Sequence, residues 1–294
     1  MQKIKKILCA TDLSKVSDRL LSWGVELCLG FDASFSVFHA IPPPRGSVTR
    51  QIEFERGGEK KEKIEKAREK IKKFMAHFDI KWDLIIAYGD PVLELAKVVK
   101  KVEADIVIAA SHGLSGLQQF LIGSVVGRMA QTFLQPLLVI PPGKFISDTN
   151  LPELQLTNIM IACSLLESDS DLKNYALAFS EKINSKIWLV HVMESPVNEQ
   201  IVEMTSAPYE DAQRLLEEKL SLRLKNLMPA KTHILQGIPG EELALYAKSH
   251  EIDLIIAGVD DRPGRIITTT TAALLRDLPC AVLTVPIKST IESN

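Results

Sequence analysis

The sequence predicts an α/β protein made of two tandem, doubly wound, five-stranded parallel sheets that pack as a pseudo-two-fold pair. Three observations carry the prediction. Short apolar runs alternate with helical patterns through the first half, five strands to four helices. The second half repeats the first in register. A glycine-bearing loop between Ala110 and Val125 joins a buried strand to the start of a helix.

Taken in order, Ile4 to Ala10 (I-K-K-I-L-C-A) is a short strand. Thr11-Asp12-Leu13-Ser14 follows, with Ser14 or Ser17 as helix N-cap. Leu20, Leu21, Gly24, Leu27, Cys28 and Phe31 then recur at helical spacing. Ser34 to Ala40 is the second strand, and Ile41-Pro-Pro-Pro44 ends it. Arg45 to Gly58 lacks periodicity and reads as a mobile loop. Glu59 to Phe78 reads as a helix with Ile64, Ala67, Ile71, Phe74 and Phe78 on its apolar face. Its lysines alternate with glutamates, the pattern of a solvated face laced with ion pairs rather than a basic binding helix. Trp82 to Tyr88 is the third strand. Gly89-Asp90-Pro91 opens a helix to Val102, with proline in its first turn. A strand at Asp105 to Ala110, a helix from Val125 to Phe133 and a strand from Leu137 to Ile140 complete the unit.

The repeat is clearest where G-D-P-V-L-E-L-A-K from Gly89 meets G-I-P-G-E-E-L-A-L from Gly237. A-D-I-V-I-A-A from Ala104 likewise meets I-D-L-I-I-A-G from Ile252. Ile159 to Ala162 echoes the first strand, and Trp188 to Met193 echoes the second. His39 and His191 fall at equivalent strand ends, which points to a packing or hydrogen-bonding role. The expected organisation is a domain over 1–142, a linker over 143–156 and a domain over 157–288. Final strands Leu137 to Ile140 and Ala281 to Val285 are expected near the contact between the halves, because each is an apolar edge that proteins avoid leaving open.

Composition agrees with a globular pair of domains: 294 residues, 46% hydrophobic and 24% charged. With 35 Lys plus Arg against 37 Asp plus Glu, the net charge of −2 offers no footprint for nucleic acid or an anionic membrane. The four cysteines, Cys9, Cys28, Cys163 and Cys280, show no C-x-x-C spacing and read as buried thiols of a reducing compartment. No signal peptide and no apolar run near about 18 residues is visible, so a soluble, cytoplasmic protein is expected.

The loop A-S-H-G-L-S-G-L-Q-Q-F-L-I-G-S-V has the layout of a phosphate cradle. Unpaired N–H groups and the positive end of the following helix favour an anion, glycine lets backbone approach it, and Ser124 can donate a hydroxyl hydrogen bond. It is not a Walker A loop, having no Gly-Lys-Ser/Thr triplet, and it lacks G-x-G-x-x-G. The ordinary alternative is a strand-to-helix turn that needs glycine only for its backbone. Asp12 and His112 have similarly plain alternatives, a helix cap and a solvated loop histidine.

The spacing resembles the nucleotide loop of the universal stress protein family: Gly, two residues, Gly, nine residues, Gly, then Ser or Thr. Gly113, Gly123 and Ser124 match, and Ala110 replaces the first glycine. A-T-D-L-S after the first strand and the closing P-L-L-V-I-P resemble the family's other motifs, and the repeat extends the likeness over nearly the whole chain. The resemblance implies an adenine nucleotide α-hydrolase-like fold, a role in stress response, and bound ATP, with Mg²⁺ accompanying its phosphates. By the same resemblance Thr11, Asp12 and Ala40 border adenine and ribose. Ala109, Ala110 and Gly113 pass beneath ribose and phosphates, while Gly123, Ser124 and Val125 hold the phosphates. The two halves would pair within one chain, or two chains would form a homodimer.

In the second copy Thr11-Asp12 becomes Cys163-Ser164, and Gly113 becomes Asp261 beside Asp260. Two carboxylates would repel a phosphate unless a metal or Arg262 and Arg265 intervened. The nucleotide is therefore expected in the N-terminal half alone. No G-x-S-x-G elbow and no Cys/His metal pattern occurs. Binding rather than catalysis is the expectation, with a nucleotide-free interaction scaffold and a weak ATPase as the alternatives.

Overall fold

The computed structural model describes residues 3–44, 46, 58–111, 124–141, 156–164, 169–193, 214, 218, 221–222, 230–260 and 268–287. The chain divides into two compact units, Lys3–Leu154 and Gln155–Asn294. Both are α/β, and in both the strands are parallel. The loop expected at Arg45 to Gly58 lies outside the described residues except for Gly46 and Gly58, and so does nearly all of the expected linker.

In the first unit the elements are β1 (Lys6–Ala10), α1 (Lys15–Phe31), β2 (Ser34–Ile41), α2 (Glu59–Met75), β3 (Trp82–Tyr88), α3 (Pro91–Val102), β4 (Ile106–Ala110), α4 (Ser124–Thr132) and β5 (Leu137–Ile140). The strands lie in the order β3-β2-β1-β4-β5. The chain winds outward from β1 through β2 to β3, then returns to the far side of β1 for β4 and β5. The strand order therefore reverses between β1 and β4. The second unit repeats this with β6 (Asn158–Ala162), α5 (Asp169–Ile183), β7 (Lys186–Met193), β8 (Lys231–Gln236), α6 (Pro239–Ser249), β9 (Leu254–Asp260), α7 (Thr269–Asp277) and β10 (Ala281–Ile287). Its strand order is β8-β7-β6-β9-β10.

The repeat extends to individual hydrogen bonds. Asp105 Oδ2 accepts the backbone N–H groups of Lys5 at 2.7 Å and Lys6 at 2.9 Å, tying the start of β4 to the start of β1. Asp253 Oδ2 does the same for Thr157 at 2.8 Å and Asn158 at 2.9 Å. Gly89 and Gly237 sit at φ 148° and 143°, a backbone that L side chains rarely adopt, immediately before the helices that Pro91 and Pro239 open.

The core of the first unit is the sheet and the helix faces that cover it. Leu20, Leu21, Leu27, Cys28 and Phe31 of α1 are all buried, as their spacing predicts. Gly24 brings α1 close to the sheet, because a Cβ there would lie 2.3 Å from Cys9 Sγ and 2.7 Å from the Phe35 ring. All four cysteines are buried free thiols, and burial pushes the Cys9 and Cys280 thiols well up.

Helix α2 departs from the expected pattern. It ends at Met75, and its buried stripe is Ala67, Ile71 and Met75 rather than one running through Phe74 to Phe78. Phe74 and Phe78 are half-buried and meet at a tilt of 51° with ring centroids 5.6 Å apart. The helix lies over β3 at the end of the unit's strand order and its neighbour β2. The charged face is the solvated one expected, with Lys66–Glu62 and Arg68–Glu65 pairs.

Candidate functional site

The site is built where β1 and β4 part. Their last paired residues are Ala10 and Ala109. Beyond that point the Thr11 N–H bonds to Phe38 O of β2 at 2.9 Å, while the Ser111 N–H bonds to Ile140 O of β5 at 3.0 Å. Each strand thus continues towards its outer neighbour, and a crevice opens between them at the carboxyl end of the sheet. This is where open α/β sheets hold ligands.

Three of the residues singled out from the sequence border this opening as a turn and a strand end. Thr11 is buried, at 6% exposure, and its Oγ1 accepts the Leu13 N–H at 3.0 Å. Asp12 is half-buried, and its Oδ1 accepts the Ser14 N–H at 3.0 Å. Asp12 is thus a turn-forming carboxylate; the N-cap of α1 is Ser14. Ala40 lies in β2, next to the end of β1, and is buried at 8% exposure. Between Asp12 and Ser14, Leu13 takes a left-handed conformation at φ 64°.

On the β4 side, Ala109 is buried at 2% exposure and forms floor, and Ala110 is the half-buried last residue of the strand. Helix α4 begins at Ser124, one residue before the start read from the sequence, and Val125 in its first turn is 36% exposed. Gly113, Gly123 and His112 lie outside the described residues, as do Asp261, Arg262 and Arg265 of the second repeat.

His39 supports the turn from below. Its Nδ1 lies 2.9 Å from Thr11 O, and since a carbonyl can only accept, Nδ1 carries the proton. Burial holds the His39 pKa below the usual imidazole range; the Thr11 carbonyl and Asp12 oppose that shift, and Lys70 adds to it. In the second unit His191 Nδ1 lies 2.9 Å from Cys163 O, and the Cys163 N–H bonds to Val190 O at 2.8 Å. Cys163 therefore occupies the position of Thr11, and both histidines perform the hydrogen-bonding role their placement suggests.

Two further groups escaped the sequence reading. Lys70 of α2 donates from Nζ to Leu13 O at 2.6 Å. Arg128 of α4 forms a bidentate pair with Asp90, the N-cap of α3. Neither partnership has a local signal, since 57 and 38 residues separate the partners. Among the described residues no group of three His, Cys, Asp or Glu is gathered to hold a metal ion, and no helix is long and apolar enough to cross a membrane.

Comparison with known proteins finds one family. The model of the universal stress protein family matches the chain twice, over residues 3–141 and 156–286. A universal stress protein of Methanocaldococcus jannaschii is 28% identical over 142 residues, spanning 48% of this chain and 84% of its own. One from Bacillus subtilis is also 28% identical, over 145 residues, spanning 46% of this chain and 97% of its own. The crystal structure of a universal stress protein from Archaeoglobus fulgidus superposes with a TM-score of 0.66 at 20% identity, covering 97% of this chain and 99% of that one. A universal stress protein solved in complex with cAMP aligns to 48% of this chain and 100% of its own at 20% identity, with a TM-score of 0.37.

Proposed function

The chain belongs to the universal stress protein family, and on that premise we propose that its N-terminal repeat binds an adenine nucleotide, ATP, as a stress-response regulator in the cytoplasm. The observation that carries the proposal is the parting of β1 and β4 beyond Ala10 and Ala109, with the Thr11–Ser14 turn on one lip and the start of α4 following on the other. Adenine and ribose would lie against Thr11, Asp12 and Ala40. The phosphates would run over Ala109, Ala110 and Gly113 to the segment Gly123-Ser124-Val125, of which Ser124 and Val125 open a helix. Mg²⁺ would enter as the counter-ion of the phosphates rather than as a resident ion.

The role proposed is binding rather than turnover, because the loop carries no lysine and no evident general base. The C-terminal repeat, with Cys163-Ser164 in place of Thr11-Asp12, is assigned no nucleotide and is proposed to pair with the first. Mass spectrometry of small molecules released by denaturing the purified protein, followed by calorimetric titration with Mg·ATP, tests the reading. One nucleotide per chain is the expected result. Protein that releases no nucleotide and gives no binding heat overturns it.

A further inference from the structure

The turn that presents Asp12 needs a restraint from outside itself. Leu13 sits at φ 64°, a left-handed backbone that a leucine holds only where its surroundings impose it. Two of its restraints are local, the Leu13 N–H on Thr11 Oγ1 and the Ser14 N–H on Asp12 Oδ1, both at 3.0 Å. The third comes from 57 residues away: Lys70 Nζ donates to Leu13 O at 2.6 Å. An ammonium on a carbonyl is a charge-assisted hydrogen bond, as is the Ser14 N–H on the Asp12 carboxylate, and only the Lys70 bond reaches the turn from another element. Lys70 stands on a helix anchored to the sheet through Ala67, Ile71 and Met75, so the clamp is referred to the core.

Of the charges near it, the Asp18 carboxylate in the first turn of α1 attracts Lys70, and Lys70 in turn disfavours a proton on His39, which burial already keeps neutral. On the same helix Lys66 pairs with Glu62, one turn earlier, and Lys60 lies over the Tyr88 ring.

We propose that Lys70 is a positioning residue for the Thr11–Ser14 turn, and that nucleotide affinity at this mouth depends on a cation at position 70. The inference rests on the nucleotide reading above. Lys70 acts through Leu13 on Asp12, so its effect must exist before any ligand is present.

The experiment compares wild-type protein with Lys70→Met, Lys70→Arg and Lys66→Met. Amide hydrogen exchange of Leu13 and Ser14 is measured without nucleotide, and Mg·ATP affinity by calorimetry. Lys70→Met is expected to speed exchange at both amides and weaken ATP binding about tenfold. Lys70→Arg is expected to restore both, and Lys66→Met to change neither. Unchanged exchange with weakened binding overturns the proposal, since Lys70 would then touch the ligand itself. Faster exchange with unchanged affinity overturns it too, since the turn would not govern binding. Wild-type protein that binds no ATP removes the nucleotide reading and the affinity claim with it, and the exchange result then decides the clamp alone.

Discussion

Arg128 grips Asp90 through both its terminal nitrogens, Nη1 to Oδ2 at 2.9 Å and Nη2 to Oδ1 at 3.0 Å. Asp90 Oδ1 also accepts the N–H groups of Val92 and Leu93, both at 3.0 Å. One carboxylate therefore caps α3 and ties its start to α4, the helix that follows the glycine loop. The second repeat has no such carboxylate cap. Ile238 stands in place of Asp90, and α6 meets α7 over Gly240, where a Cβ would lie 2.4 Å from Ala273 Cβ.

Asp90→Ala is expected to destabilise the protein by about 0.5–2 kcal/mol, the usual range for a lost N-cap. Arg128→Ala leaves the cap intact and is expected to cost under about 1 kcal/mol, because both partners are well exposed and solvent screens the pair. Arg128 first, then the capping N–H of Leu93, holds the Asp90 carboxyl below the usual range. A depressed carboxyl contributes stability above its unfolded pKa and loses it as pH falls through the folded value. The difference between wild type and Asp90→Ala should therefore persist at neutral pH and shrink only in strong acid. Urea denaturation at several pH values measures it.

Gly123→Val is expected to abolish nucleotide binding while the protein stays folded. A branched side chain at the helix start would stand where phosphate approaches and restrict the backbone there. Losing two charge-assisted hydrogen bonds, at about 1.5–3 kcal/mol each, weakens binding by orders of magnitude. Thr270→Val in the second repeat should leave affinity unchanged. Calorimetry and circular dichroism on both variants check the pair, and wild-type affinity in a folded Gly123→Val protein would remove the loop from the site.

The second unit should lose stability on acidification through the histidine range. Trp188, His233, Tyr246 and His250 form one aromatic cluster, with Tyr246 stacked on His250 at 3.8 Å between centroids and Lys231 Nζ 4.2 Å from the centre of the Trp188 ring. Burial, then His250 and Lys231, hold the His233 pKa below the usual value, and burial pushes the Tyr246 hydroxyl up to about 12. A lowered histidine contributes its stability above the unfolded pKa of about 6.5, and that contribution fades as pH falls through the folded value. His233→Phe should flatten this slope between about pH 7 and pH 5. Thermal denaturation at those two pH values reads it directly.

Gly24→Ala is expected to cost about 1–3 kcal/mol, the overpacking range, although alanine is the better helix former. The added methyl would fall on Cys9 Sγ and the Phe35 ring. A variant as stable as wild type in urea would show that α1 can move off the sheet freely.

Much of the fold was legible because its signals are local. Trp82–Tyr88, Pro91–Val102 and Leu137–Ile140 stand where their periodicity and flanking Gly and Pro put them. The repeat was legible because Gly89, Pro91 and Asp105 recur as Gly237, Pro239 and Asp253, and each pair performs one mechanical job. Phe74 and Phe78 misled, since an apolar residue signals burial without saying how wide a stripe the neighbouring strand will cover.

The sequence by itself determined the two-fold repetition, the parallel α/β class and the position of the Thr11–Asp12 turn after the first strand. These depend on spacing within some ten residues. Only the tertiary structure decided that β1 bonds onward to β2 while β4 bonds onward to β5, and so where the crevice opens. It alone put Lys70 on Leu13, His39 on Thr11 and Arg128 on Asp90. A long polar side chain on an exposed helix face reads the same in sequence whether it reaches water or a carbonyl 57 residues away, because its partner is chosen by how the helices pack on the sheet.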